Sequence, residues 1–484
     1  MSSEVLRGEN IFKTYQNGNH DITVLDGVSI SLRLGEKVAY GNQAIETMAA
    51  SRSAFLKMVD LHPNLMIYGV TTGFGDGAKT LLTAEERRQL AQEPAPIESV
   101  GLGPSLEPEV IRGMIFARLC NFVSGHAAVS LETAQRVAAM LDGRDLPDVP
   151  QNCQDSFGEL AQLYNLFHTI HGENAELKDI NILTNGSPCS AGLAADVSLD
   201  AECRIRRATQ IFALSTWAAN MPLEPYDPAW KSLFDDPFEA DAIDALNSLF
   251  DTNTSARNYQ APISWRILAR VLGTSYRGVH NMTEAACIAL RSVTDNPSFM
   301  MPNKENPNGY TLQSGGFHNS LAYQTMGWLN SAWIDLSVIA TRQIEQLNRQ
   351  ETTGLPNYLT PPGSQERTRY LETSALNACI ESKDHATPAT IPLGGGTGQT
   401  DIIMPIFRAY NKARLVGHNT DICLASLAVV ASQAAWIADR TPPDQLKPIL
   451  RLIRSFVPPI ESTRNLGNEI TQLIRALKID QDNR

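Results

Sequence analysis

The chain has 484 residues, 43% of them hydrophobic and 19% charged, so a large buried core is within reach. A formal net charge of −12 argues against a nucleic-acid or anionic-membrane partner. Seven scattered cysteines without a C-x-x-C pair read as reduced, mostly buried thiols. Residues 1–19 are polar and mixed in charge, unlike a secretory signal, and later apolar stretches are too often interrupted to read as membrane spans. The expectation is a cytoplasmic protein with no membrane partner.

In chain order, residues 22–39 alternate apolar and polar side chains around Gly27 and Gly35, the pattern of short strands or a hairpin. Together with residues 9–15 they imitate the opening strands of an ABC-type ATPase. The chain then reads Gly35-Glu36-Lys37-Val38-Ala39-Tyr40 where a phosphate-cradling G-x-x-x-x-G-K-[ST] is required, so nucleotide hydrolysis is rejected. Helical periodicity predicts helices over 45–59, 83–92, 108–123, 131–141 and 160–170. Longer ones are predicted over 191–218, 279–292, 320–347, 404–411 and 416–438, and 446–479 ends in an amphipathic helix. Several long helices are apolar around most of their circumference, which suits the inside of a bundle or a subunit interface. The expected organisation is an N-terminal arm with short strands (1–40), a loop-rich helical part (41–190) and a helical bundle with the C-terminal helices (191–484).

Between the helices lie Gly- and Pro-rich connections, the kind of segment that carries function on a rigid scaffold. One reads Tyr68-Gly69-Val70-Thr71-Thr72-Gly73-Phe74-Gly75; alone it is equally a glycine-rich turn. Others follow in order: Thr184-Asn185-Gly186-Ser187, Gln260-Ala261-Pro262-Ile263-Ser264-Trp265-Arg266, Ser292-Val293-Thr294-Asp295-Asn296-Pro297 and Ser314-Gly315-Gly316-Phe317-His318. As a set they resemble the motifs of the aromatic amino-acid ammonia-lyase family (histidine, phenylalanine and tyrosine ammonia-lyases and aminomutases) over roughly residues 23–440. The resemblance implies a mainly α fold, with a long central helical bundle after a small mixed N-terminal region. It also implies a homotetramer with composite sites and a small-molecule carboxylate substrate. On that reading Arg266 holds the carboxylate as a bidentate fork, where arginine alone would suggest an ion pair. Tyr68 acts as base or acid, Asn185 hydrogen-bonds the substrate or reaction centre, and Phe317 walls the pocket.

The chain departs from the family where the chemistry is most demanding. Family members cyclise an internal Ala-Ser-Gly into a methylidene-imidazolone electrophile, expelling the serine hydroxyl. The matching positions here are Ser156-Phe157-Gly158, and no Ala-Ser-Gly occurs elsewhere. Phenylalanine has no leaving group, so we expect no such cofactor. A second family tyrosine becomes Ile263, a glutamate becomes Thr400, and a Ser-His has no counterpart beyond nearby Glu98 or Ser99. His126 and Cys153 align beside the old reaction centre, each open to a new acid, base or nucleophile role or to an inert buried one. Asp155 and Glu159 flank the replaced tripeptide, Glu159 as a hydrogen-bonding support of the loop. His168 and His171 share one helix face without a third ligand, so no metal site is predicted. The favoured reading is a cofactor-independent enzyme carrying out elimination, addition, isomerisation or cyclisation on a carboxylate. A silent ligand-binding or partner-assembling homologue is the rival from another class, and residual ammonia-lyase or aminomutase activity comes third.

Overall fold

The computed structural model describes residues 6–8, 38–92, 101–143, 145–152, 155–170, 175–251, 259–392, 398 and 400–478. The predicted strands before Val38, and the candidates Glu98, Ser99, Cys153 and His171, lie outside the described residues. Six cysteines are described, all buried and none of them in a disulfide.

The described chain is mainly α. Strands β1 (Leu6–Gly8) and β2 (Val38–Tyr40) pair antiparallel, and α1 (Asn42–Leu61) and α2 (Ala84–Gln92) follow. Helix α2 starts on a reciprocal cap: Thr83 N–H donates to Glu86 at 2.7 Å, while Glu86 N–H returns to the threonine hydroxyl at 3.3 Å. Next come β3 (Leu102–Ser105), α3 (Pro108–Phe122), α4 (Leu131–Ala139), β4 (Pro150–Asn152), α5 (Leu160–Phe167), α6 (Asp179–Thr184) and α7 (Pro188–Ala218). After short helix α8 (Trp230–Phe234) come α9 (Pro237–Asn247), α10 (Ile263–Arg266) and α11 (Leu268–Arg291). The pair β5 (Ser298–Met300) and β6 (Tyr310–Leu312) precedes α12 (Ser320–Leu347). The chain ends in α13 (Gln350–Thr353), α14 (Arg369–Asp384), α15 (Ile406–Ile437), α16 (Lys447–Phe456) and α17 (Leu466–Lys478).

Several expected boundaries move. The two helices expected over 404–438 are one, α15, because Lys412-Ala413-Arg414-Leu415 contains only strong helix formers. The C-terminal segment is two helices, separated at Pro458-Pro459. Helix α11 begins at Leu268, well before 279, despite Gly273; a Cβ there would stand 2.7 Å from Glu239 Cα, so packing against α9 wants the glycine. Helices α9 and α14 were not anticipated. The first is fixed by Asp236, whose side chain caps Phe238 N–H and Glu239 N–H at 2.9 and 3.0 Å. By length and composition alone, α15 is long and apolar enough to cross a membrane, contrary to the sequence reading; 78% of that apolar stretch is buried inside the protein.

Two compact units divide the chain discontinuously. The first comprises Met1–Val197, Met282–Gln324 and Ala389–Asn411, the second Ser198–Asn281, Thr325–Pro388 and Lys412–Arg484. In the first, α3 is buried on every side. Gly192 of α7 lies against it so closely that a Cβ would be 2.6 Å from Met114 N. In the second, Arg204 pairs with Asp421 through Nε and Nη2 at 2.6 and 3.0 Å and lies over the Trp333 ring at 5.6 Å. Ser215 donates to Gln343, which donates to the Ser264 carbonyl at 3.0 Å.

Candidate functional site

In the first unit the tyrosine loop is pinned before its tyrosine is aimed. Ile67 N–H donates to the Thr71 hydroxyl at 2.7 Å, and Leu82 N–H to the Thr71 carbonyl at 2.8 Å. Val70 enters an apolar cluster with Phe55, Met58, Ile67, Ala128 and Phe299. Gly69 has φ +64°, and a Cβ there would stand 2.3 Å from the Phe74 ring, so only glycine fits. Tyr68 is left half-buried, edge-on to Phe74 with centroids 5.7 Å apart. Its hydroxyl accepts Gly75 N–H at 3.2 Å, which leaves the phenol proton for another acceptor.

Asn185 sits at the C-terminal end of α6 in extended backbone, and its Nδ2 donates to the Asn181 carbonyl at 3.1 Å. Behind it lies Arg118, fully buried. The guanidinium donates to the Asn185 carbonyl, to Asp295 Oδ1 at 3.1 Å and to Asn121 Oδ1 at 3.3 Å. Burial lowers the Arg118 pKa and the Asp295 charge opposes that. Lys178 is buried close by and donates to the Ala127 carbonyl at 2.7 Å; burial brings its pKa down to about 8. Past Asn185, Ser187 N–H donates to the Thr294 hydroxyl at 3.1 Å, and its own hydroxyl to the Gly316 carbonyl at 3.0 Å. That bond places Phe317, half-buried, against the 156–158 turn: a Cβ on Gly158 would be 3.2 Å from Phe317 Cδ2.

The loop at 156–158 is a tight turn. Ser156 Oγ donates to the Gly158 carbonyl at 3.1 Å, and the Ser156 carbonyl accepts Met404 N–H at 2.9 Å. Phe157 at its apex is half-buried. Glu159, expected to support this loop, is engaged elsewhere. Its buried carboxylate accepts Cys189 N–H and Ser190 N–H at 2.6 and 2.7 Å, in the first turn of α7. Four N–H groups open at a helix start make that turn attractive to an anion. Burial nevertheless pushes the Glu159 pKa up to about 7, against the lowering by those hydrogen bonds.

His126 is half-buried and locked to β5. Its carbonyl accepts Phe299 N–H at 2.8 Å, and Nδ1 donates to the Phe299 carbonyl at 2.9 Å, which leaves Nε2 as the lone-pair nitrogen of the neutral ring. Within the first unit, Asn181 joins Tyr68 to Asn185, donating to the Tyr68 carbonyl at 3.2 Å and accepting Asn185 Nδ2, while the Ser187–Gly316 bond brings Phe317 to the 156–158 turn. Arg266 belongs to the second unit. It is exposed, its Nε donates to the Ala261 carbonyl at 2.9 Å, and its two Nη groups are directed at no hydrogen-bond partner among the described residues. Ile263, in the second tyrosine's place, is 61% exposed, and Thr400 is half-buried. His168 is exposed and bonds the Asn165 carbonyl at 3.0 Å. Among the described residues no three His, Cys, Asp or Glu side chains gather as metal ligands would.

Sequence reading missed Arg118, Asn181 and Lys178. For Arg118 a signal existed: a lone arginine inside the apolar run Ile115-Phe116-Ala117-Arg118-Leu119 demands a buried partner.

The aromatic amino acid lyase family model matches residues 22–180 and 175–455. The histidine ammonia-lyase of Gloeobacter violaceus is 26% identical over 94% of this chain and 96% of its own length. Among solved structures, histidine ammonia-lyase from Trypanosoma cruzi shares the fold with TM-score 0.82 at 20% identity, covering 94% of this chain and 92% of that one. The ergothioneine-degrading enzyme ergothionase from Treponema denticola, in complex with desmethyl-ergothioneine sulfonic acid, does so with TM-score 0.81 at 17% identity, covering 94% and 96%. With a matching family model over most of its length, this chain belongs to the aromatic amino acid lyase family.

Proposed function

We propose that the protein is a lyase of this fold that works without the methylidene-imidazolone electrophile and eliminates a leaving group better than ammonia from a carboxylate-bearing small molecule. The observation that carries this is Phe157 at the apex of the Ser156–Gly158 turn. Forming the electrophile requires a β-oxygen to be expelled from the central residue, and a benzyl side chain has none. The residues present do not fit that group.

The remaining groups support proton chemistry. Tyr68 takes a proton from a carbon near the carboxylate, the C–H electron pair forms a new carbon–carbon double bond, and the leaving group departs with its own bonding pair. Arg266, with free Nη groups, anchors the carboxylate. In a homotetramer, which we propose by family analogy, it would be supplied within a composite site. His126 Nε2 is a second candidate base, held in one tautomer by β5. A positioned acid or base contributes about 10²–10⁴-fold, or roughly 3–5 kcal/mol. That is short of what ammonia expulsion from an unactivated amino acid demands, but enough for a substrate whose nitrogen leaves as a neutral tertiary amine.

Two measurements test the reading. Intact mass should equal the encoded mass, and a deficit of two waters would show that a ring has formed. Turnover should be absent on L-histidine, L-phenylalanine and L-tyrosine. It should appear, by ultraviolet absorbance of a conjugated product, on a trialkylammonium carboxylate panel that includes ergothioneine. There Tyr68→Phe should lower it about 10²–10⁴-fold. Ammonia release from the three amino acids by the unmodified chain would overturn the proposal.

A further inference from the structure

We infer that Asn181 is the positioning residue of the tyrosine loop, the side chain that fixes where the Tyr68 backbone stands relative to Asn185. The inference rests on the reading of Tyr68 as the acid–base group. Asn181 is fully buried in α6, one turn before Asn185. Its Nδ2 donates to the carbonyl of Tyr68 at 3.2 Å and to that of Asn296 at 3.1 Å. Its backbone carbonyl accepts Asn185 Nδ2 at 3.1 Å. One residue therefore touches the tyrosine loop, the segment leading into β5 and the asparagine expected to face substrate.

The chemistry leaves no alternative orientation for the amide. Reversed, it would aim Oδ1 at two carbonyl oxygens, an acceptor against acceptors. Gly69 completes the arrangement, because a Cβ on it would stand 2.7 Å from Asn181 Nδ2, so the glycine lets the loop backbone close on the amide. Asn181 Oδ1 is buried and has no hydrogen-bond partner among the described residues. A buried unpaired oxygen costs stability. A residue kept only for packing would do better as leucine. The asparagine is explained by what its Nδ2 holds.

That contrast supplies the test. Asn181→Leu removes the unpaired oxygen but also leaves the Tyr68 and Asn296 carbonyls without their donor, so the melting temperature should fall modestly with the fold retained. Asn181→Asp keeps the shape but presents no donor to the two carbonyls. In hydrogen exchange of the whole protein, both variants should lose protection at least tenfold in peptides covering 68–82 and 296–299, with α3 and α14 unchanged. On whichever compound of the elimination panel is turned over, kcat should fall at least tenfold with KM within twofold. Unchanged exchange in the loop would overturn the inference, and so would equal loss of protection throughout the chain. The exchange measurement needs no substrate, so its failure is distinct from failure of the elimination reading.

Discussion

The buried Arg118–Asp295 pair offers the sharpest quantitative test of how the candidate site is built. Both side chains have no solvent exposure and meet at 3.1 Å. Arg118→Met would strip a donor from Asp295 Oδ1, from Asn121 Oδ1 and from the Asn185 carbonyl. Breaking a buried pair by removing one partner costs about 3–5 kcal/mol, because a charge is left uncompensated. The low end applies here, since the Lys178 ammonium also bears on Asp295. Asp295→Asn leaves the Arg118 charge uncompensated in turn, but the amide oxygen still accepts from Arg118 and the Asn185 bond survives, so its cost should also sit near the low end, about 3 kcal/mol. In the double variant neither member of the pair is left as an unpaired charge, and Lys178 keeps the Asp179 carboxylate. The double variant's loss should therefore fall short of the summed single losses by about 1–3 kcal/mol. Urea denaturation of the four proteins, followed by tryptophan fluorescence, measures the cycle. Additivity within about 0.5 kcal/mol would refute the claim that these residues act as one unit.

Glu159 predicts a pH dependence of known sign. Its folded carboxyl keeps its proton up to about 7 where the ordinary value is 4.5, so between those values the folded state binds more protons than the unfolded one. Its contribution to stability is present below pH 4.5 and is lost as pH rises toward 7, by up to roughly 3 kcal/mol. Glu159→Gln should remove that slope from melting curves taken across the window; an unaltered slope would contradict it. Gly192→Ala places a methyl 2.6 Å from Met114 N, and should cost about 1–3 kcal/mol in chemical denaturation unless α7 and α3 separate freely. Arg266→Met should lower the melting temperature only slightly, through the lost bond to the Ala261 carbonyl, and should abolish the thermal stabilisation given by whichever carboxylate the panel identifies.

Sequence alone determined the family and the helical class. The signals for both are local: ordered motifs mark the family, and period-3.6 patterning marks α12 over its whole length. Ordered motifs such as residues 68–75 and 314–318 also named Tyr68 and Phe317 without coordinates. What tertiary structure decided is whatever depends on partners distant in the chain. Glu159 stands next to the 156–158 turn in sequence, yet it serves the first turn of α7, thirty-odd residues on. Asn181 looks like an ordinary polar position in a short helix, and only folding brings the Tyr68 and Asn296 carbonyls to its amide from 113 and 115 residues away. A polar side chain in a core must find partners or lose stability, but sequence spacing does not reveal which partners the fold will deliver.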